Sequence, residues 1–171
     1  MDISALKKKY ALFLKDNLPF WVVDSTLQKI VLVDHLKNNI EFPVSTAKNG
    51  LGNKEGSFKT PTGLLRIHDL IGSKALRGMI FIDRKATGRI WDGLKSKDGL
   101  ILTRVITLDG CEDNINKGSD VDTLSRYIYI HGTDSEDLIG TPASRGCIGM
   151  KNKDIIELFN LSSKGMFVLV I

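Results

Sequence analysis

One short stretch of the sequence, residues 127–150, holds a histidine and a cysteine, each with a glycine beside it. His131 ends a run of alternating apolar and aromatic residues, and Cys147 follows sixteen positions later. Gly132 and Gly146 are the neighbouring glycines, and a residue without a side chain lets backbone approach a reactive group closely. A cysteine attacks a carbonyl as its thiolate, and it needs a base within hydrogen-bond reach and donors for the developing oxyanion. These residue types therefore suggest nucleophilic catalysis by a thiol.

The loop before the cysteine has a composition that suits an anion site better than a core. The successive backbone N–H groups of Arg145, Gly146 and Cys147 predict a nest for an oxyanion, and the positive charge of Arg145 favours a thiolate. A free cysteine is nevertheless most often a small buried apolar residue, and a histidine at a strand end is often structural. The residues alone leave both interpretations open, a packed pair and a Cys–His site.

The elements that must position these residues are mostly β-strands, and one helix follows the cysteine. The helix is predicted over 152–161, with Asn152 as its N-cap. Loops punctuated by glycine, proline and polar residues cover 47–63 and 111–123. Runs typical of strands lie at 20–24, 29–36, 40–46, 63–69, 78–84, 99–110, 126–132 and 165–171. The pattern predicts one mainly β domain, sandwich-like or barrel-like, with one or two small helices.

The first residues are predicted to form an extension of that domain. Apolar and charged residues over 3–16 indicate a short amphipathic helix, which Pro19 ends, so we divide the chain into an extension, 1–19, and a domain, 20–171. Lysines interrupt the apolar residues, so the segment does not resemble a secretory signal. No apolar run approaches the length of a membrane span. We therefore expect a cytoplasmic protein, with a periplasmic location as the alternative if a leader was removed.

Composition narrows the classes of partner. The chain of 171 residues carries a net charge of +4, which fits acidic partners of any kind. No basic stripe with interleaved aromatic residues is present, so nucleic acid is not a predicted partner. The two cysteines, Cys111 and Cys147, do not make a disulfide framework, and no Cys/His cluster has metal-ligand spacing. We expect no metal site, and the sequence predicts no particular oligomer.

The motifs around the histidine and the cysteine resemble those of the L,D-transpeptidase catalytic domain family, the YkuD type. That family has a His-Gly, a spacer, then Ser-His-Gly-Cys, an apolar residue and Arg or Asn, and this chain has HGT followed by IGTPASRGCIGM. The resemblance extends upstream through FPVSTAKNGLGNKEGSFKTPTGLLRI at 42–67 and covers about residues 20–171. It implies a β-sandwich with the site on a loop at one edge, and it implies no metal or organic cofactor.

The resemblance also implies roles for individual residues. Cys147 would be the nucleophile and His131 its proton acceptor and donor, with the carbonyl of Gly132 orienting the imidazole. The N–H groups of Arg145, Gly146 and Cys147 would form the oxyanion hole.

Two further features of the motifs have two interpretations each. Ser144 either supports the loop through hydrogen bonds or is an ordinary turn residue, and the turn is favoured because serine is common there. Thr60, Pro61 and Gly63 either shape the substrate cleft or form a turn.

The substrate that the resemblance implies is the tetrapeptide stem of peptidoglycan, cleaved between its third residue and the terminal D-Ala through an acyl-enzyme. An amine acceptor would give a 3→3 crosslink, and water would give a tripeptide. Because we expect a cytoplasmic protein, we expect an L,D-carboxypeptidase that acts on soluble muropeptides in recycling. A periplasmic L,D-transpeptidase is the alternative, and a catalytically inert muropeptide-binding module is the alternative from another class.

Two positions depart from the family motif. Arg145 stands where the family has histidine, and Gly149 stands where it has arginine or asparagine. The residue missing at 149 is expected to line the site and meet a substrate carboxylate, and Arg145 is a candidate to take over that contact. These departures keep the binding-module alternative open.

Overall fold

The computed structural model describes residues 5, 8–14, 18–34 and 40–171. Within the predicted helix over 3–16, Ala5, Lys8 and Lys9 are helical, but residues 10–14 form turns and a bend, so the helix prediction is wrong there. Residues 3–4, 6–7 and 15–16 of that prediction lie outside the described residues. The end of the second predicted strand lies outside them as well.

The described residues form ten β-strands and a helix near the C-terminus. The prediction of a mainly β domain with few helices is confirmed, but the strands over 85–90 and 148–150 were not predicted. The strands are β1 Phe20–Asp24, β2 Lys29–Val33, β3 Ile40–Pro43, β4 Gly63–Ile71, β5 Met79–Ile82, β6 Lys85–Ile90, β7 Ile101–Gly110, β8 Tyr129–Thr133, β9 Ile148–Met150 and β10 Phe167–Val170, and the helix is α1 Asn152–Leu161.

All ten strands belong to one curled, mixed sheet. Its order is β3-β2-β1-β10-β4-β7-β5-β6, and β8 extends it from β7 to β9. The β1–β10 and β8–β9 pairs are parallel, whereas the other pairs are antiparallel. The last strand therefore returns to the centre of the sheet, while β8 and β9 form a separate branch beside β7.

The main core lies between one face of the sheet and α1. Ile155 and Leu158 of the helix are fully buried there with strand residues such as Trp21 and Ile130. Their three-residue spacing puts them on one face of the helix, and each such side chain contributes about 1.5–3 kcal/mol when it leaves water. The helix over 152–161 is confirmed, but its N-cap is Lys151, and Asn152 turns its side chain to other partners.

A second, smaller apolar cluster covers the reverse face of the sheet. Tyr10 and Leu14, four positions apart, are buried there with Phe20, Val22 and Leu169. Strand β1 is thus buried on both faces, which its continuous apolar sequence FWVV requires. Within the described ranges, none of the helices has the length and apolar character needed to span a membrane.

An irregularity in β7 lies directly beside the histidine of the sequence motif. Leu102 pairs with Gly132 and Val105 pairs with His131, so two extra residues of β7 face one step of β8. Thr103, in that bulge, adopts a left-handed φ of 71° although it is β-branched. Bulges of this kind re-aim neighbouring side chains and are common beside active sites.

Candidate active site

The pairing of β8 with β9 brings the two residues of the sequence motif to one surface. His131 pairs with Gly149 in parallel register, and Ile130 pairs with Ile148. Side chains alternate along a strand, so Cys147, two positions before Gly149, points to the same face as His131. Ile130 and Ile148 fill the core on the opposite face. We call the surface formed by Tyr129, His131, Cys147 and Gly149 the floor.

The imidazole of His131 is held by its own neighbour. The side chain is buried, and its Nδ1 lies 2.7 Å from the carbonyl oxygen of Gly132. A carbonyl can only accept, so Nδ1 carries the proton and Nε2 carries the lone pair. Burial lowers the pKa of His131 below 6.5, while the Gly132 carbonyl and the charge of Asp134 oppose that shift. The ring is therefore neutral at physiological pH, with its basic nitrogen fixed as Nε2.

The position of the Gly132 carbonyl is itself fixed by close packing. A Cβ on Gly132 would lie 2.4 Å from Asn152 Oδ1 and 2.7 Å from the carbonyl oxygen of Leu102. Asn152 is buried, accepts a hydrogen bond from the Thr103 hydroxyl, and donates from Nδ2 to the Thr133 carbonyl at 2.9 Å. The bulge in β7 and the start of α1 thus clamp the backbone on which the imidazole rests.

The thiol of Cys147 is protonated in this environment. Its Sγ lies 3.5 Å from the carbonyl oxygen of Tyr127, which the S–H can meet as a weak donor. Burial raises the pKa of Cys147 to about 11, although a hydrogen bond from the Tyr129 backbone and the positive charge of Arg126 oppose that shift. At neutral pH the resting site is therefore a thiol beside a neutral imidazole rather than an ion pair.

Two arginines near the site differ in what they contact. Arg126 is half-buried and donates to the carbonyl oxygens of Lys59 at 2.8 Å and Gly52 at 3.3 Å. Its charge acts on the thiol. Arg145 is exposed and reaches across the cleft to Asp98, donating to its carbonyl oxygen at 2.6 Å, with the carboxylate 3.6 Å away. The cation that favours the thiolate is thus Arg126, whereas the sequence pointed to Arg145.

The predicted oxyanion loop is a hydrogen-bonded turn. The Ser144 hydroxyl donates to the Cys147 carbonyl and accepts from the Gly146 N–H at 3.2 Å. The Gly146 N–H, one of the three predicted oxyanion donors, is therefore engaged within the loop. Ser144 therefore supports the loop, the interpretation that the sequence favoured less. Thr60 donates from Oγ1 to the Gly146 carbonyl at 2.9 Å. The Thr-Pro-Thr-Gly segment thus contacts the loop from behind.

A cleft of about 610 Å³ opens above the floor. His131, Cys147 and Gly149 line its base, and residues 96–101 form one wall. Asp134 is buried and holds that wall, since its carboxylate accepts from the N–H groups of Ser96 at 2.7 Å and Leu100 at 3.1 Å. We call the exposed edge formed by Lys97, Asp98 and Arg145 the rim.

Gly149 lies in the cleft, at the position where the family motif has arginine or asparagine. A Cβ there would make ordinary contacts of 3.8 Å with Ile139 Cδ1 and Ser45 Cβ. Its backbone exchanges two 2.9 Å hydrogen bonds with Ser45. A Cβ at position 149 would therefore be accommodated beside the cleft.

The second cysteine, Cys111, and the histidine His68 lie apart from this site. Cys111 packs against the second apolar cluster, and His68 is near Asp69 at 3.5 Å. In the described part of the chain, no cluster of three or more His, Cys, Asp or Glu side chains could hold a metal ion.

Sequence reasoning missed three residues that shape the site: Asn152, Arg126 and Asp134. The sequence predicts Asn152 only as a helix cap, because asparagine is common there. Neighbours in the sequence carry no signal of the site contacts that these three residues make, because each of those contacts joins segments that are 16 to 74 residues apart.

A comparison with protein families identifies the chain. The model of the YkuD family, the L,D-transpeptidase catalytic domain, matches residues 19–170. YkuD of Bacillus subtilis (strain 168) is 45% identical over 49 residues, which is 28% of this chain and 30% of that protein. YkuD of Bacillus licheniformis is 43% identical over the same length.

Solved structures share the fold. The L,D-transpeptidase LdtMt1 in complex with imipenem superposes with a TM-score of 0.55 at 15% identity, covering 90% of this chain and 58% of that one. An L,D-transpeptidase from Mycobacterium tuberculosis H37Rv gives 0.54 at 14% identity, with 90% and 57% coverage. This chain thus spans less than two thirds of the length of these proteins. The match of the family model over residues 19–170, together with the shared fold, shows that the chain belongs to the L,D-transpeptidase catalytic domain family.

Proposed function

We propose that the protein is a cysteine enzyme that cleaves the L,D bond before the terminal D-Ala of peptidoglycan stem tetrapeptides. Family membership supports the substrate class. The observation that carries the chemistry is the shared face of β8 and β9, where Cys147 and His131 lie at the base of one cleft.

The proposed reaction begins from the neutral pair. Nε2 of His131 accepts the thiol proton as the Cys147 thiolate attacks the carbonyl carbon of the third stem residue. The backbone N–H groups of Arg145 and Cys147 stabilise the oxyanion, since the Gly146 N–H already donates to the Ser144 hydroxyl. The imidazolium then donates its proton to the leaving amine of D-Ala, and a thioester remains on Cys147. Because Nδ1 stays bonded to the Gly132 carbonyl, one nitrogen carries both proton transfers.

The second half of the reaction decides the product. Water attacking the thioester gives the tripeptide, and an amine from another stem gives a 3→3 crosslink. We propose hydrolysis as the main outcome, in muropeptide recycling in the cytoplasm, with crosslinking in the periplasm as the alternative. Fractionation of cells that express the native gene tests the location.

The cleft suits a charged peptide. Lys97 and Arg145 place positive charge at the rim. A stem peptide ends in a carboxylate, and charged or hydroxyl donors are the groups that recognise carboxylates. We propose Arg145 as the residue that takes the place of the arginine missing at 149.

The test is mass spectrometry of the protein incubated with a disaccharide tetrapeptide, alongside Cys147→Ala and the matched control Cys111→Ala. We expect tripeptide with the wild type and with Cys111→Ala, and none with Cys147→Ala. Crosslinked dimer would move the assignment to transpeptidase. Imipenem, which the solved relative binds, provides a second readout, since a mass increase on Cys147 alone would mark the nucleophile.

A muropeptide-binding module is the second candidate, because burial raises the pKa of Cys147 to about 11 and Sγ faces the Tyr127 carbonyl. Tetrapeptide that binds unchanged, with Cys147 inert to imipenem, would favour this candidate and refute the enzyme.

A further inference from the structure

Thr60 lies behind the cysteine loop and contacts it through one hydrogen bond. The side chain is fully buried. Its Oγ1 accepts from the Ala47 N–H at 2.9 Å and donates to the Gly146 carbonyl at 2.9 Å. Its backbone is fixed as well, since its N–H donates to Gly50 and its carbonyl accepts from Gly52. The hydroxyl is therefore a donor whose direction is set from both sides.

That hydrogen bond orients the peptide unit between Gly146 and Cys147. In a planar trans peptide the C=O and N–H groups point in opposite directions. With the Gly146 carbonyl directed at Thr60, the Cys147 N–H is directed away from it. The same peptide therefore presents its donor on the side opposite the buried threonine.

The backbone conformation of Gly146 explains why the following peptide needs a contact that fixes its orientation. Its φ of 129° is open to glycine and rarely to other residues, and a Cβ there would approach Ile128 Cδ1 to 3.2 Å. Glycine is also the residue with the widest range of backbone conformations. A peptide that follows a glycine needs an external contact to keep one orientation, and the Thr60 hydroxyl supplies it.

We propose that Thr60 is a positioning residue that aims the Cys147 N–H at the oxyanion, a role that rests on the proposed thiol chemistry. Thr60 does not touch the reacting atoms. It acts through the Gly146 carbonyl and sets the direction of one donor, which is the property that decides the strength of an oxyanion hole.

Two reactions of Cys147 separate this role from a purely structural one. p-Nitrophenyl acetate acylates the thiol: the sulfur gives its proton to His131 Nε2 and adds to the carbonyl carbon, an oxyanion forms, and p-nitrophenolate leaves. Iodoacetamide alkylates it: the sulfur displaces iodide at a saturated carbon, and no oxyanion forms at the reacting carbon. A misdirected Cys147 N–H slows the first reaction and leaves the second unchanged.

The experiment compares both rates in the wild type, Thr60→Val, Thr60→Ser and Thr62→Val. Valine has the shape of threonine without its donor, and serine keeps the donor. Thr62→Val is the matched control, because Thr62 donates a similar bond to the Val170 carbonyl at 3.1 Å, away from the loop. We expect Thr60→Val to lower acylation by roughly 10- to 100-fold with unchanged alkylation. Thr60→Ser and Thr62→Val keep both rates.

The ¹⁵N–¹H resonance of Cys147 provides a readout that needs no reaction. It shifts in Thr60→Val and returns toward the wild-type position in Thr60→Ser. If Thr60→Val does not fold, Thr60→Ala repeats the test with a smaller side chain. Equal slowing of both reactions, no slowing, or a wild type that is alkylated but never acylated overturns the proposal. A wild type that reacts with the ester but leaves the stem peptide intact refutes the proposed function and leaves the Thr60 comparison valid.

Discussion

The floor and the rim of the cleft are built in contrasting ways. On the floor, His131 is buried, and the backbone around it is packed against Asn152 and the bulge of β7. At the rim, Arg145 and Asp98 are 63% and 83% exposed, and their contact is a surface ion pair. Buried hydrogen bonds are costly to break, whereas exposed ion pairs contribute little. From this difference we infer that the floor positions the reacting groups and transfers the proton, whereas the rim contributes to substrate affinity.

The two arginines show the same contrast on a smaller scale. Arg126 is held by backbone carbonyls below the cysteine, and its charge reaches the thiol. Arg145 lies only two positions before the cysteine in the sequence, yet its guanidinium contacts Asp98. Proximity along the chain is therefore a poor guide to which charge tunes the nucleophile.

The largest effect is expected from Gly132→Ala on the floor. The new Cβ would meet the Asn152 amide and the Leu102 backbone at distances that neither can relieve easily. We expect a loss of stability on the order of 3 kcal/mol and a fall in turnover of about 10²-fold, because small displacements of a positioned group have such effects. Thermal unfolding and steady-state turnover measure both.

Gly149→Ala is the matched control for stability, because a Cβ there would make only ordinary contacts, with Ile139 and Ser45. If both variants unfold at the same temperature, the packing around Gly132 is looser than the structure indicates, and the floor is no more rigid than its surroundings.

The next-largest expected effect is on the alkylation rate of Cys147, and it distinguishes Arg126 from Arg145. With a pKa of about 11, the alkylation rate of Cys147 should still rise with pH above pH 9, since the thiolate is the nucleophile. Removing the nearby positive charge in Arg126→Gln moves that pKa further up. At pH 8 we expect alkylation by iodoacetamide to slow by roughly two- to tenfold, one pKa unit being tenfold in thiolate.

Arg145→Gln serves as the comparison, because it removes an equal charge from the rim. Its alkylation profile should match the wild type. An equal slowing in both variants would mean that the rim charge also reaches the thiol, and the division between floor and rim would fail for electrostatics.

How much of the structure the sequence predicts depends on how far apart in the chain the contacting residues lie. The alternation in RYIYIHG was enough to place His131 on a strand, and the apolar spacing in IIELF was enough for α1. Strand β9 was missed because three residues, IGM, carry no periodicity of their own and are ordered by pairing with β8. Residues 85–90 were missed for a related reason, since β6 is an edge strand whose residues are all exposed.

The sequence predicts which residues form the candidate site, but it does not predict the hydrogen bonds that hold them in place. The motif and the family resemblance named His131, Gly132 and Cys147, and the structure brings them together. The contacts that hold them come from Thr103, Asn152 and Thr60, and each is defined by folding of distant segments. Only tertiary packing decides which buried hydroxyl or amide faces which carbonyl.

A smaller effect is expected where the floor meets the substrate, in Gly149→Arg. The position faces the cleft and has room for a side chain, so we expect the free energy of unfolding to change by less than about 1 kcal/mol, as at sites without packing conflict. The added charge should change KM for the tetrapeptide several-fold, with a smaller change in kcat. Unchanged KM and kcat would show that position 149 is not part of the site, whatever the family motif has there.

The smallest effect is expected at the rim, in Asp98→Asn. The variant removes the carboxylate that faces Arg145 but keeps the Asp98 backbone carbonyl, which is the closer partner at 2.6 Å. Exposed ion pairs contribute about 0–1 kcal/mol, so denaturant unfolding should be almost unchanged. Freed from its counter-charge, Arg145 becomes more available to a substrate carboxylate, and KM should fall, most clearly at low ionic strength, where charges are screened least. A rise in KM, or a loss of stability as large as that in Gly132→Ala, would mean that the ion pair is structural and that the rim is as fixed as the floor.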